Sequence, residues 1–238
     1  MRARPRTQSS LAVRGDGGPW WLVNASPDLR QQLETLERGN GAVRSAPVAG
    51  VLLTDAEIDH TAGLLLLRES GSPIRIYGDP EIERVLAPTL LRMLDRFCGV
   101  DWHALVEARA IDGLAVEPFG DGLTFRDGSR MVTYAPALAR LDDAVLARFA
   151  ASDLVLVDGT FWFGDDLARL GISTRTAADM GHVPLTDSLP ALASLKRPRV
   201  VLVHINNTNP ILLEDSPERA QVERAGLEVA YDGLEVQL

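Results

Sequence analysis

Asp55, Glu57, Asp59 and His60 fall within six consecutive residues, directly after the apolar run Val48–Leu53. Three carboxylates and an imidazole at the end of a buried strand are suited to holding a cation. Mixed oxygen and nitrogen donors of this kind favour iron, zinc or manganese over calcium or copper. Two further histidines stand in comparable places. His204 ends the apolar run Val200–Val203 and precedes the polar stretch Asn206-Asn207-Thr208-Asn209, and His182 sits in the loop-like Met180-Gly181-His182-Val183-Pro184. Neutral imidazole is the commonest metal ligand near pH 7, and carboxylates complete such sites. Each residue also has a plainer reading. A histidine at a strand end can serve as a hydrogen-bonding structural residue, and Asp59 can cap a helix starting near Thr61. Three strand or loop ends that all carry Asp or His favour convergence on one pocket.

Asp158 ends the apolar run Leu154–Val157, where an ionised carboxylate needs a partner. It serves either as a ligand or as the group that orients a histidine, and pairing with His182 would tune that imidazole for proton transfer. The Asn206–Asn209 run reads equally as a turn scaffold or as the lining of a polar substrate pocket. Trp162, between Phe161 and Phe163, offers a face for a planar ligand, though such clusters commonly belong to a core. His103 and Cys98 read as structural. No glycine-rich dinucleotide loop, phosphate-binding loop or serine nucleophile elbow is present.

Elements must bring these residues into place. Residues 7–13 and 20–24 read as strands joined through Gly15-Asp16-Gly17-Gly18. Ser26-Pro27 starts a helix over Pro27–Glu37, and Gly39-Asn40-Gly41 stops it. Val48–Thr54 is a buried strand, Thr61–Glu69 a helix and Ile74–Tyr77 a strand. Asp79-Pro80 opens a helix that Pro88 interrupts before Leu90–Phe97. Leu114–Pro118, Leu123–Arg126 and Met131–Tyr134 are candidate strands. Then come a helix over Asp142–Phe149, a strand over Leu154–Val157, a helix over Ser188–Leu195 and a strand over Val200–Ile205. A helix over Pro217–Ala225, capped by Ser216 and stopped by Gly226, precedes a closing hairpin, Leu227–Tyr231 and Leu234–Leu238. Alternating strands and helices with hairpins at both ends indicate α+β sheets of mixed pairing covered by helices.

A chain of 238 residues is long enough to bury a sizeable core, and either one large domain or two small ones fits that length. A net charge of −9 argues against general nucleic-acid affinity. No apolar run approaches the length of a membrane span. A single cysteine excludes an internal disulfide framework, so a cytoplasmic setting is expected.

Thr54-Asp55-Ala56-Glu57-Ile58-Asp59-His60 resembles the His-x-His-x-Asp-His signature of the metallo-β-lactamase fold, with Asp55 and Glu57 in place of its two leading histidines. A longer resemblance is to the family of pyrroloquinoline quinone (PQQ) biosynthesis protein B. It is carried by Arg6–Ser10, Asn24–Arg30, Asp59–Leu64, Asp158-Gly159-Thr160, Met180-Gly181-His182 and, most specifically, His204–Leu212, with further matches at Glu214–Arg219 and Tyr231–Gly233. The resemblance implies an αββα sandwich, one metallo-β-lactamase-like domain over residues 1–238. That domain would lack the family's first strand and Cys-rich zinc segment, and an exposed sheet edge would then invite a homodimer. It implies a metal held by Asp59, His60 and His204, with Glu57 or Asp55 as further candidate ligands. Asp158 and His182 resemble the acid–His pair of tRNA 3′-processing endonucleases and would handle protons. The implied activity is Fe(II)- and O2-dependent hydroxylation of the Tyr ring of a Glu–Tyr cross-linked, peptide-derived amino acid. The alternatives are a zinc hydrolase of the same fold and a non-catalytic carrier of PQQ or an intermediate.

Overall fold

The computed structural model describes residues 2–36 and 48–238. The chain divides into two compact units. One is Thr7–Pro118, and the other joins Met1–Arg6 to Phe119–Leu238.

In Thr7–Pro118 the strands β1 (Leu11–Val13) and β2 (Trp21–Val23) form the antiparallel hairpin expected from the intervening glycines. Gly17, at φ +65°, supplies the left-handed residue of that turn. β3 (Gly50–Leu52), β4 (Ile74–Gly78) and β5 (Val100–Ala104) follow in parallel, giving the order β1-β2-β3-β4-β5. Every residue of β2 and β3 is buried, which is why these segments read as continuous apolar runs without alternation. Leu22, Val51, Leu53, Leu64, Ile76, Ile82 and Leu94 form the heart of the core.

The helices of this unit depart from expectation at instructive points. α1 is Leu29–Leu33, shorter than predicted, and its N-cap is Asp28 and not the expected Ser26, whose hydroxyl accepts from the Asp28 amide at 3.2 Å ahead of the helix. The predicted stop at Gly39-Asn40-Gly41, together with Glu37, lies outside the described residues. α2 (Ile58–Thr61) begins three residues before the predicted Thr61 and runs on as a 3-10 turn over Ala62–Leu67. Asp59 is therefore inside the helix and does not cap it. α3 (Pro80–Leu86) starts as predicted, with Asp79 accepting from the Glu81 amide. Pro88 falls in a π-helical turn, Ala87–Leu91, that leads into α4 (Arg92–Asp95). β6 (Arg109–Ile111) pairs with β7 (Leu114–Phe119) across Asp112-Gly113, whose φ values of +47° and +88° match a type I′ turn.

In Phe119–Leu238 the strands are β8 (Gly122–Asp127), β9 (Arg130–Ala135), β10 (Leu154–Asp158), β11 (Arg199–Val203) and β12 (Glu228–Val229). β8 and β9 are antiparallel, whereas β9, β10, β11 and β12 pair in parallel. The helices are α5 (Asp143–Ala151), α6 (Asp166–Arg169), α7 (Leu185–Ser194) and α8 (Pro217–Arg224). Asp142 and Ser216 cap α5 and α8 through bonds of 3.0 Å from the Val145 and Arg219 amides. Phe149, Val155, Val157, Trp162, Leu185, Leu202 and Ile211 lie in one core cluster. The predicted closing hairpin is not formed. Gly233 does turn the chain, but 228–229 joins β11 in parallel and 234–238 forms no strand. No described helix is long and apolar enough to cross a membrane.

Candidate metal centre

In Thr7–Pro118 the candidate donors are set at the end of β3. Past Leu52 the chain holds its course because the Leu53 amide donates to Tyr77 O at 2.8 Å. Thr54 is then pinned by Asn24, whose side chain accepts from the Thr54 amide at 3.0 Å and donates to its hydroxyl at 2.9 Å. Asn24 has φ +60°, a left-handed conformation that Asn tolerates better than most residues. Helix α2 is docked on the same segment. The Ala25 amide donates to His60 O at 2.6 Å, and the Gly63 amide donates to Ala25 O at 2.9 Å. A Cβ at position 63 would sit 2.1 Å from Ser26 O, so only glycine permits this approach.

The docking places His60, which is 1% exposed, against Asp55. His60 Nδ1 lies 2.6 Å from Asp55 Oδ2. Asp55 also accepts from the Thr54 hydroxyl at 2.7 Å and from the Glu57 amide at 2.9 Å. Burial acts to lower the His60 pKa, but the bond and charge of Asp55, with the charges of Asp59 and Glu57, outweigh it and hold the imidazolium above its ordinary value. Burial likewise works to raise the Asp55 carboxyl, yet the His60 bond and charge and the Glu57 amide bring it below its ordinary value. On the other edge of the ring, His60 Nε2 is 3.9 Å from Asp59 Oδ2. A tetrahedral ion bound at about 2.0–2.2 Å sets its ligands about 3.3–3.6 Å apart, so the two groups would draw together on binding one. Glu57 is exposed and stands at the N-cap of α2.

In Phe119–Leu238 the register of β10 on β11 sets Asp158 beside Val203, so His204 emerges next to the end of β10. The Gly159 amide donates to Val203 O at 2.8 Å and closes the gap. His204 has φ +52°, a left-handed value uncommon outside glycine. Ligand atoms of Asp158, His182 and His204 lie within 4.8 Å of one another. The Asp158 oxygens are nevertheless filled by protein donors. Oδ2 accepts from the Leu138 amide at 3.0 Å and faces His182 Nδ1 at 2.7 Å. Oδ1 accepts from the Thr160 amide at 2.9 Å and the Thr160 hydroxyl at 2.7 Å. Each Asp158 oxygen thus meets two protein groups. The His182 and His204 rings stack at 5.5 Å, and Phe161 meets His182 edge-on at 5.7 Å.

Other candidates are placed differently. Asn209 is 2% exposed, donates to Gly159 O at 2.8 Å and accepts from the Ile211 amide at 3.0 Å, so its amide holds the backbone together. Trp162 is a member of the core cluster at 4% exposure. Asn206 and Asn207 lie in the turn after His204 and Thr208 beside them, half-buried or exposed. His103 stacks on Tyr77 at 4.6 Å and meets Asp101 at 3.0 Å. Cys98 packs against the first core, and burial raises its thiol pKa away from nucleophilic reactivity. Residue-type reasoning missed Thr160, whose hydroxyl touches Asp158, His204 Nδ1 and His204 O at 2.7, 2.8 and 2.7 Å. The one available signal was its place two residues after an Asp, the spacing of an Asx turn.

Residues 19–205 match the β-lactamase superfamily domain. Along its whole length the chain is 44% identical to coenzyme PQQ synthesis protein B of Cupriavidus taiwanensis, covering 90% of that protein. It is 39% identical to the protein of the same name from Methylococcus capsulatus, again over the full chain and 90% of the relative. The crystal structure of Zn(2+)-bound PqqB from Methylobacterium extorquens superposes with a TM-score of 0.89 at 40% identity, covering 100% of this chain and 88% of that one. Human tRNase Z, short form, shares the fold at a TM-score of 0.62 and 16% identity, over 98% of this chain and 94% of its own. The mixed sheets with their helices are thus those of the metallo-β-lactamase fold. The chain belongs to the coenzyme PQQ synthesis protein B family of the β-lactamase superfamily.

Proposed function

We propose that the protein acts in PQQ biosynthesis as a one-metal oxidoreductase, with Asp59, His60 and His204 as the ligands of a single Fe(II). The proposed reaction is O2-dependent hydroxylation of the Tyr ring in a Glu–Tyr cross-linked amino acid derived from a peptide. Full-length likeness to the PQQ synthesis B proteins supports the pathway. The donor set supports the metal, since a carboxylate with imidazoles and open positions is the arrangement of non-haem Fe(II) oxygenases. When bound, such an iron supplies the O2 chemistry that no protein side chain provides.

One observation carries the choice of one metal over two. Asp55 stands where the superfamily signature has its first histidine, and its oxygens are committed to His60, Thr54 and the Glu57 amide. It buttresses a ligand of one position and does not supply the other. Two-metal hydrolysis relies on both ions to clamp the attacking and leaving oxygens, so the loss of one position favours redox chemistry over a hydrolase. In this reading the Asp158 carboxylate holds His182 by Nδ1 and presents its Nε2 to take or return the phenolic proton. The buried Phe161 edge helps keep water from that pair. The zinc in the Methylobacterium extorquens relative makes a zinc enzyme the second reading.

Anaerobic loading with Fe(II), metal counting and oxygen uptake test the proposal. One iron per chain with substrate-dependent O2 consumption supports it. Tight zinc with ester or phosphodiester turnover replaces it with the hydrolase. Ligand binding that survives His60→Ala and His204→Ala replaces it with a carrier.

A further inference from the structure

We infer that Thr160 is a positioning residue: its hydroxyl relays the Asp158 carboxylate to His204, so that one buried carboxylate sets the tautomers of both His182 and His204. The geometry is a chain of short contacts. Asp158 Oδ2 faces His182 Nδ1 at 2.7 Å, Asp158 Oδ1 faces Thr160 Oγ1 at 2.7 Å, and Thr160 Oγ1 faces His204 Nδ1 at 2.8 Å. Asp158 is 2% exposed and Thr160 6%, so water does not compete at either.

The proton count decides the direction. Thr160 has one hydroxyl hydrogen and three neighbours within reach: Asp158 Oδ1, His204 Nδ1 and His204 O. Bonds to an ionised acceptor are roughly twice as strong as neutral ones, so the hydrogen goes to the carboxylate, and the carbonyl takes at most the minor part of a three-centre bond. The hydroxyl oxygen is then an acceptor towards His204, and Nδ1 must carry the ring proton. The reverse tautomer would take the Thr160 hydrogen for itself. It would also leave two oxygens, Asp158 Oδ1 and Thr160 Oγ1, facing each other at 2.7 Å without a proton between them. His204 therefore keeps Nε2 as its lone-pair nitrogen, and so does His182, whose Nδ1 proton is given to Oδ2. Asp158-Gly159-Thr160 works as a unit: the Thr160 amide also donates to Asp158 Oδ1 at 2.9 Å, which fixes the hydroxyl beside the carboxylate. The inference rests on the metal reading for its purpose and for the Zn(II) titration below, whereas the tautomer measurement does not depend on it.

Long-range proton–nitrogen NMR on the metal-free, nitrogen-15-labelled full chain reads each histidine tautomer directly. His204 and His182 are expected as Nδ1–H forms in the unsubstituted protein and in Thr160→Ser. In Thr160→Val, which keeps the shape but not the hydroxyl, His204 is expected to become a mixture while His182 stays as it was. Competition titration with Zn(II) alone is expected to show an affinity about 10–100-fold weaker for Thr160→Val, restored by Thr160→Ser. An Nε2–H form of His204 in the unsubstituted protein overturns the proposal, as does a Thr160→Val protein with unchanged His204 signals. The first of these measurements needs no variant, so it decides the matter even where Thr160→Val fails to fold. Neither readout involves iron, O2 or substrate, so loss of the hydroxylase reading would not change them.

Discussion

Replacing Gly63 by alanine puts a number on how tightly the fold holds the candidate metal ligands. The new Cβ would lie 2.1 Å from Ser26 O and 2.8 Å from Ala25 O, both backbone atoms that cannot rotate away. Ordinary contact begins at 3.4 Å, so the start of the 3-10 turn must back off by more than 1 Å. Overpacking of this kind costs about 1–3 kcal/mol. Retreat also stretches the bonds from Gly63 N to Ala25 O and from Ala25 N to His60 O. Each is worth about 1 kcal/mol net. Against this, alanine gains about 1 kcal/mol over glycine in helical backbone. The sum is a loss of about 3 kcal/mol, read as a lower denaturant midpoint at unchanged slope. Because His60 O is one of the two anchors, the same retreat draws the imidazole off Asp55. Zn(II) affinity should then fall by roughly 10-fold or more, as for a lost outer partner of a metal-bound histidine. Leu66→Ala, at a half-exposed position on the same turn, is the control and should change stability by less than about 0.5 kcal/mol if surface rules hold there. A Gly63→Ala protein as stable as its parent, with unaltered Zn(II) affinity, refutes the claim that this contact positions His60.

Three more outcomes follow from the same contacts. Asp55→Asn removes the carboxylate that faces His60 Nδ1 and should weaken Zn(II) binding about 10–100-fold, whereas Glu57→Gln, at an exposed position, should leave it within a few-fold; equal effects in a competition titration would contradict the assigned roles. Asn209→Ala should cost roughly 2–4 kcal/mol in a denaturation series, since it strands Gly159 O and the Ile211 amide in a buried setting, and a neutral result would return Asn209 to the substrate pocket. Asp153 is held below its ordinary pKa, first by the Met131 amide and then by Arg197. Its folded-state value being depressed, it stabilises the native chain above the unfolded value of about 3.9 and loses that effect as pH falls through the lower folded value. The melting-temperature gap between parent and Asp153→Asn should thus be full at pH 6 and close towards pH 3; a gap that widens with acid would reverse the assignment.

The sequence was most informative where burial is complete. β3, β10 and β11 stand where apolar runs place them, because a strand covered on both faces admits little else. Asp79-Pro80 and Ser216-Pro217 open helices as their cap chemistry demands. The segment Val100–Ala104 was not legible as a strand. Its residues do alternate, Val-Asp-Trp-His-Ala, but it lies at the end of its sheet with no position fully buried, and five residues carry too short a pattern to stand out. Ala178–Met180 and Asp166–Arg169 were missed for a related reason: one turn of helix is too short for a period to show. At the C-terminus a true turn at Gly233 was mistaken for half of a hairpin. The residues after it are mostly exposed and bury too little to make a strand.

The candidate residues were legible as residue types at segment ends, but how each is bonded was not, and the reason lies in hydrogen-bond donors. Asp55, Asp59 and Asp158 are the same residue type at three segment ends. An ionised carboxylate binds a cation or protein donors with the same lone pairs, so the donors around it determine what remains. Asp158 has four such contacts, from Leu138, His182 and twice from Thr160, and Asp55 has three, from Thr54, Glu57 and His60. Asp59 keeps a side chain 38% exposed and turned towards His60 Nε2. Counting carboxylates along the chain therefore does not tell how each is bonded, since the donors come largely from backbone amides and threonine hydroxyls that no spacing rule counts. In the proposed one-metal site, the same bonds let two acids in ligand-like positions support histidines. Each fixes the far nitrogen of a histidine, and a ring so held presents its other nitrogen in one orientation only.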